Sequence, residues 1–257
     1  MAETIPPVAK PVWIDLASSD PAASRDFYAN LFGWQIEVNP DPLYGGYAMA
    51  KVGGKDVAGI GPKMMAEAPT AWSVYIGTGD AAALAAKVQA AGGNVIAPPM
   101  QVGDQGTMAV LQDPTGAFFG AWQPDAMAGF ATDAAGSFGW AELNSRGFDK
   151  AASFYAGLFG WSTKTSPMGE GQPPYTEFLL GDTSIAGGME MNPMMPAEVP
   201  SYWMPYFEVA DVDGAFKKAL AGGAKEMLAA VDFPGGRFAI VQDPQGAVFG
   251  LLKTAAR

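Results

Sequence analysis

Two octapeptides in this chain nearly repeat each other: Phe27-Tyr28-Ala29-Asn30-Leu31-Phe32-Gly33-Trp34 returns as Phe154-Tyr155-Ala156-Gly157-Leu158-Phe159-Gly160-Trp161, 154 − 27 = 127 residues later. A second pair, Gln112-Asp113-Pro114-Thr115-Gly116-Ala117-Phe118-Phe119-Gly120 and Gln242-Asp243-Pro244-Gln245-Gly246-Ala247-Val248-Phe249-Gly250, marks the far end of each half. Both halves therefore share their beginnings and their ends, and the fold is organised by a tandem duplication. The 257 residues suit two domains of the usual size. The repeat places an N-terminal module at 1–125, a linker rich in Ala and Gly at 126–137, and a C-terminal module at 138–257.

Local punctuation divides each half further. Residues 12–16 read as a strand, followed by Asp20 as a helix cap and Pro21 in the first helical position. Gly33 ends that helix, in which Phe27, Leu31 and Phe32 form the stripe that packs on a sheet. Short runs at 34–38, 47–52 and 56–60, bounded by Gly, Pro or Asn, read as meandering strands. Residues 71–76 then read as a strand, 80–91 as an Ala-rich helix closed by Gly92-Gly93, and 95–97, 107–112 and 117–122 as three more strands. Each half is thus βαβββ twice. The fold class expected is α+β: four βαβββ units in two tandem modules.

That order resembles the vicinal oxygen chelate superfamily of glyoxalase I, bleomycin-resistance proteins and extradiol dioxygenases. The resemblance rests on Asp-x-x-x-Ser-Arg-Asp-Phe-Tyr from Asp20 to Tyr28, on Leu31-Phe32-Gly33-Trp34, on Ala90-Ala91-Gly92-Gly93 and on Asp113-Pro114-Thr115-Gly116, with counterparts in the second half. It covers nearly the whole chain. More narrowly, the chain is similar to tandem glyoxalase-like proteins that carry a hydroxylase label. The resemblance implies that two βαβββ units curl into a cup-shaped mixed sheet with helices outside and inward-pointing ligands on its strands.

The family's metal ligands can be sought position by position. The first, His or Gln fifteen residues before the Tyr of Phe-Tyr, falls on Trp13 (28 − 15) and Trp140 (155 − 15). The last, Glu seven residues after the Asp of Asp-Pro-x-Gly, falls on Gly120 (113 + 7) and Gly250 (243 + 7). The fifth-strand ligand falls near Ser73 and Met204, and the fourth-strand carboxylate among Ala58-Gly59 and Ala186-Gly187. With no histidine and no cysteine in the chain, neither half keeps the imidazole and carboxylate set a transition metal needs. No metal or cofactor is expected.

Aromatic and acidic residues stand there instead. Strand alternation puts Trp13 and Asp15 on one face, Trp140, Glu142 and Asn144 on one face, Ser73 with Tyr75, and Met204 with Tyr206 and Glu208. These residues line the expected cups and suit a flat or cationic organic ligand through stacking, cation–π attraction and a carboxylate hydrogen bond. Trp and Tyr in strands also serve as sheet-packing core. Asp15 and Glu142 are the candidate catalytic carboxylates, since a carboxylate within an apolar strand is costly to bury without a partner. Each could instead cap a backbone N–H or pair with Arg25 or Arg146. Met64-Met65 and the Met189 to Met195 run either line a pocket mouth or cover an apolar edge.

Three functions are compatible with these residues: metal-independent binding of a small aromatic or cationic molecule in the bleomycin-resistance manner; a metal-independent lyase or isomerase with a cup carboxylate as general base; and a structural or interaction role with cups filled by the protein's own side chains. Absence of His and Cys excludes Ser-His-Asp and Cys-His chemistry. A net charge of −11 argues against nucleic acid, and no apolar run is long enough to cross a bilayer. The expected partner is a small-molecule ligand, with no nucleic acid and no membrane. A cytoplasmic monomer or homodimer is expected. Whether each cup forms within one half, or by exchange of units between halves, is open at this level.

Overall fold

The computed structural model describes residues 8–132, 134–169 and 171–255. The first quarter holds β1 (Pro11–Ser18), α1 (Pro21–Phe32), β2 (Gln35–Val38), β3 (Ala48–Val52) and β4 (Lys55–Pro62). The second holds β5 (Ala71–Gly77), α2 (Ala81–Ala90), β6 (Asn94–Val102), β7 (Gly106–Gln112) and β8 (Phe118–Pro124). The third holds β9 (Phe138–Ser145), α3 (Phe148–Phe159), β10 (Ser162–Ser166), β11 (Tyr175–Leu180) and β12 (Thr183–Glu190). The fourth holds β13 (Tyr202–Glu208), α4 (Val212–Ala221), β14 (Lys225–Phe233), β15 (Gly236–Gln242) and β16 (Val248–Thr254). The α+β reading of four βαβββ units is therefore the observed fold.

Capping chemistry fixes the helices where the sequence placed them. Asp20 accepts from Ala23 N at 3.0 Å and Asp80 from Ala83 N at 2.8 Å, each supplying an acceptor to a free first-turn N–H. Gly33 and Gly160 end α1 and α3 at φ 74° and 70°, a left-handed conformation that costs glycine least. α3 lacks a side-chain cap of its own. The Glu190 carboxylate takes that place, accepting from Gly147 N at 3.0 Å and Phe148 N at 2.7 Å.

Each sheet is built from one half of the chain. The strand orders are β2-β3-β4-β1-β5-β8-β7-β6 and β10-β11-β12-β9-β13-β16-β15-β14. Within each sheet the first strand of every βαβββ unit pairs in parallel with its last, as β1 with β4 and β5 with β8, while the meanders pair antiparallel. Compact packing follows a different division. One unit gathers Met1–Trp13, Val74–Gly129 and Ala141–Trp203; the other gathers Ile14–Ser73, Phe130–Trp140 and Met204–Arg257. Thus the second quarter packs mainly with the third, and the first mainly with the fourth.

The repeated signature residues are the core of each unit. In one, Tyr28 stacks on Trp34 at 5.7 Å and meets the edge of Trp72 at 5.2 Å, with Phe27, Phe32, Phe207 and Phe249 around them. In the other, Tyr155 stacks on Trp161 at 5.8 Å and meets Trp203 at 5.3 Å, with Phe119, Phe154, Phe159 and Phe178 around them. Tyr28 and Tyr155 are fully buried, so their hydroxyls need partners inside. Tyr28 Oη donates to Asp243 Oδ2 at 2.9 Å and accepts from Trp72 Nε1 at 2.9 Å. Tyr155 Oη donates to Asp113 Oδ2 at 3.1 Å and accepts from Trp203 Nε1 at 2.8 Å. The Phe-Tyr and Asp-Pro-x-Gly signatures are therefore two ends of one buried contact, made once in each unit.

The carboxylates themselves are held by their own turns. Asp113 Oδ1 accepts from Thr115 N at 2.7 Å and Ala117 N at 3.0 Å, and Asp243 Oδ1 accepts from Gln245 N and Ala247 N at 2.9 Å each. Burial raises the Asp243 carboxyl above its ordinary pKa, against the lowering effect of those hydrogen bonds. Burial first, then the neighbouring carboxylate, holds Tyr28 and Tyr155 well above the usual phenol value. The methionines expected to line a mouth or cover an edge are largely exposed: Met64 at 69%, Met65 at 59% and Met194 at 87%. Only Met191 of this group is buried.

Candidate functional site

Four glycines at or beside positions where the resemblance implies metal ligands are covered by tyrosine rings. Gly59 on β4 lies beneath the Tyr47 ring, and Gly187 on β12 beneath Tyr175. Gly120 on β8 lies beneath Tyr75, and Gly250 on β16 beneath Tyr206. At all four, a Cβ would overlap the ring. Absence of a side chain on one strand is thus what lets an aromatic ring lie flat on the sheet. Tyr75 and Gly120 are direct partners across the β5–β8 ladder, as are Tyr206 and Gly250 across β13–β16.

A carboxylate stands beside two of these glycines. Asp15 pairs with Gly59 across β1–β4, and Glu142 pairs with Gly187 across β9–β12. Tyr47 Oη donates to Asp15 Oδ2 at 3.5 Å. Glu142 is buried at 8% exposure, and its Oε1 accepts from Asn144 Nδ2 at 3.0 Å. Burial pushes the Tyr202 phenol up to about 12, and the negative charge of Glu142 adds to the shift. At neutral pH Tyr202 therefore keeps its proton and can act as a donor.

The remaining sequence-predicted residues divide between the two compact units. Trp13, Tyr75, Glu142 and Asn144 belong to the unit containing α2 and α3. Asp15, Ser73, Trp140, Met204, Tyr206 and Glu208 belong to the unit containing α1 and α4. Trp13, Tyr75, Met204 and Tyr206 are buried, while Ser73, Trp140 and Asn144 are half-buried. Glu208 Oε1 accepts from Thr254 N at 3.0 Å and Thr254 Oγ1 at 3.2 Å, which ties it to the end of β16. Neither arginine considered as a carboxylate partner takes that role. The Arg25 guanidinium reaches Gly46 O, and that of Arg146 is held by the carbonyls of Met195, Pro196 and Val199.

Sequence reasoning missed Tyr47, Tyr175 and Tyr202. A spacing signal for the first two was present, because Tyr47 and Tyr175 are 175 − 47 = 128 residues apart, as are Gly59 and Gly187 (187 − 59). Tyr202 is two residues before Met204 and shares its strand face.

These residues do not fit a metal. Trp, Gly, Ser and Met at the expected ligand positions offer neither imidazole nor carboxylate, and no cluster of three or more His, Cys, Asp or Glu exists among the described residues. The chain nevertheless belongs to the Glyoxalase/Bleomycin resistance protein/Dioxygenase superfamily, whose family model matches residues 10–119 and 137–251.

Among curated proteins, CFP32 of Mycobacterium tuberculosis (strain CDC 1551 / Oshkosh), whose name carries the word glyoxylase, is 39% identical over 251 residues, covering 95% of each chain. The anthracycline biosynthesis protein DnrV of Streptomyces peucetius is 37% identical over 260 residues, covering 95% of this chain and 92% of DnrV. Two solved structures share the fold. The 2,3-dioxygenase LapB from Pseudomonas sp. KL28 matches with a TM-score of 0.68 at 13% identity, over 98% of this chain and 94% of LapB. The Mn(II)-bound glyoxalase from Novosphingobium aromaticivorans matches with a TM-score of 0.66 at 16% identity, over 96% and 82%. No helix among the described residues is long and apolar enough to cross a membrane.

Proposed function

We propose that this protein binds a small aromatic or cationic organic molecule without a metal, through the sheet faces that carry Glu142 and Asp15. The observation that carries this reading is the buried Glu142, kept within an apolar strand beside Asn144 and the protonated Tyr202. A carboxylate held in an apolar strand is a recognition group for a ligand cation or N–H, which would share in stabilising its charge. Tyrosine rings on Gly59, Gly120, Gly187 and Gly250 replace the donor atoms of a metal site with π-faces suited to stacking. Trp13, Trp140, Ser73, Met204 and the amide of Asn144 are the further proposed contacts. A relative named for anthracycline biosynthesis agrees with an aromatic ligand.

The test is a calorimetric titration, in the presence of EDTA, against a panel of aromatic amines and antibiotic-like compounds. Binding by the wild type should weaken about thirtyfold or more in Glu142→Gln, the effect of ~2 kcal/mol for a lost buried charge partner. Equal affinity in wild type, Glu142→Gln and Asp15→Asn would refute the role given to the carboxylates.

A second reading has one observation in its favour. Glu142 and Tyr202 place a proton acceptor near a donor, which would serve a metal-independent lyase or isomerase. In that case Glu142 would remove a proton from the bound molecule, and the wild type would exchange ligand hydrogen with deuterated water. Glu142→Gln should abolish the exchange; a bound ligand that never exchanges leaves binding as the function.

A further inference from the structure

We infer that the groove between α2 and α3 is a second ligand site, built for a small organic anion with an apolar body such as an aryl carboxylate or sulfonate. Its cavity measures about 530 Å³, within the range of small-molecule pockets. Ala90 and Ala91 at the end of α2, with Phe154 and Leu158 on α3, give it apolar walls. Lys87 and Lys150 supply its charge, and no carboxylate lines it. In a chain with 26 acidic and 15 basic residues, two lysines unopposed by an acid mark a local positive field. Lys150 Nζ donates to Pro114 O at 3.3 Å, which holds the ammonium at the groove edge. Neither lysine has an ion-pair partner among the described residues.

The duplication provides an internal comparison. Lys218 stands four residues before the α4 cap Gly222, as Lys87 stands four before the α2 cap Ala91. Lys218 Nζ, however, donates to Leu31 O at 3.2 Å on α1. The 127-residue offset places Ala23 at the position of Lys150 (150 − 127) and Asp26 at that of Ser153 (153 − 127). At these matched positions the first helix pair has Lys218, turned to a carbonyl, and Asp26, whereas the second has Lys87 and Lys150 with no acid among the groove-lining residues; Arg25 and Lys217 of the first pair and Asp149 of the second lie outside the matched positions. An anion is accepted by the second arrangement and opposed by the first.

The probe is 8-anilinonaphthalene-1-sulfonate, an aromatic sulfonate whose emission rises on leaving water, titrated into the full chain beside its uncharged analogue N-phenyl-1-naphthylamine. Wild type should bind the sulfonate at least tenfold more tightly than the amine. Lys87→Gln with Lys150→Gln should weaken the sulfonate about tenfold, as two partly exposed charge contacts would. Gly157 lies on α3 in the groove and a Cβ there meets nothing within 4 Å, so Gly157→Leu introduces its bulk into the groove from open space while leaving both lysines in the sequence. That variant should lose the sulfonate while its melting temperature is maintained or rises. Lys218→Gln should bind as wild type does. Wild-type affinity in the double lysine variant or in Gly157→Leu, equal weakening in Lys218→Gln, or no binding by wild type would each overturn the assignment.

Discussion

Replacing Tyr155 by Phe isolates the contact that joins the two repeated signatures. The ring stays, with its stacking on Trp161 at 5.8 Å, and only the hydroxyl is lost. Two buried groups then lose a partner: Asp113 Oδ2, which accepted at 3.1 Å, and Trp203 Nε1, which donated at 2.8 Å. An unsatisfied buried polar group costs about 1–3 kcal/mol, so the pair should cost about 2–5 kcal/mol. For a chain of this size that corresponds to a fall in melting temperature of roughly 5–15 °C. Urea denaturation followed by far-ultraviolet circular dichroism measures it, with an unchanged m-value showing that only stability has moved. Tyr28→Phe orphans Asp243 Oδ2 and Trp72 Nε1 in the same geometry, so its cost should agree to within about 1 kcal/mol. A loss below about 0.5 kcal/mol in either variant would refute the claim that this hydrogen-bonded pair anchors the unit.

Three further outcomes follow from the same structure. Gly250→Ala puts a methyl into the Tyr206 ring and should cost about 1–3 kcal/mol by overpacking, an effect that Tyr206→Leu in the same chain relieves; thermal melts of the single and double variants measure the coupling. Glu190→Ala removes the acceptor of Gly147 N and Phe148 N and should destabilise by about 0.5–2 kcal/mol, read from the urea midpoint. Tyr28 and Tyr155 have raised pKa values in the folded state, so their stabilisation is complete below the unfolded phenol value of about 10 and is lost as pH rises through their folded values. Alkaline titration should therefore show tyrosinate absorbance from these two residues appearing together with unfolding; ionisation of all tyrosines within an intact fold would contradict it.

Local signals made the fold legible. Asp20, Pro21 and Gly33 bracket α1 because caps act over three or four residues, and the strand runs were bounded by turn residues. The duplication then supplied the third and fourth βαβββ units. Long-range pairing was not legible: Tyr28 and Asp243 are 215 residues apart, and nothing in either motif names the other. The candidate site was legible in its residue types and incomplete in its contacts. Asp15 and Glu142 stood out as carboxylates in apolar strands, but Tyr175 belongs to a neighbouring strand and Tyr47 immediately precedes one, and their rings reach the site only because Gly59 and Gly187 leave room. Arg25 and Arg146 were plausible partners by proximity in sequence, yet carbonyls hold both guanidinium groups.

The most direct test of the central claim is a thermal-shift comparison of metal-stripped protein titrated with Mn(II), Zn(II) or Ni(II) and with a panel of aromatic and cationic organic molecules. A ligand that binds the folded state raises the melting temperature by an amount that grows with the logarithm of its concentration relative to its Kd. The account predicts no shift with any of the metals, and a rise with at least one aromatic compound that disappears in Glu142→Gln. A rise produced by a metal alone, retained when the organic panel is inert, would contradict the assignment of Trp13, Gly59, Gly120, Trp140, Gly187 and Gly250 as positions that hold no ion.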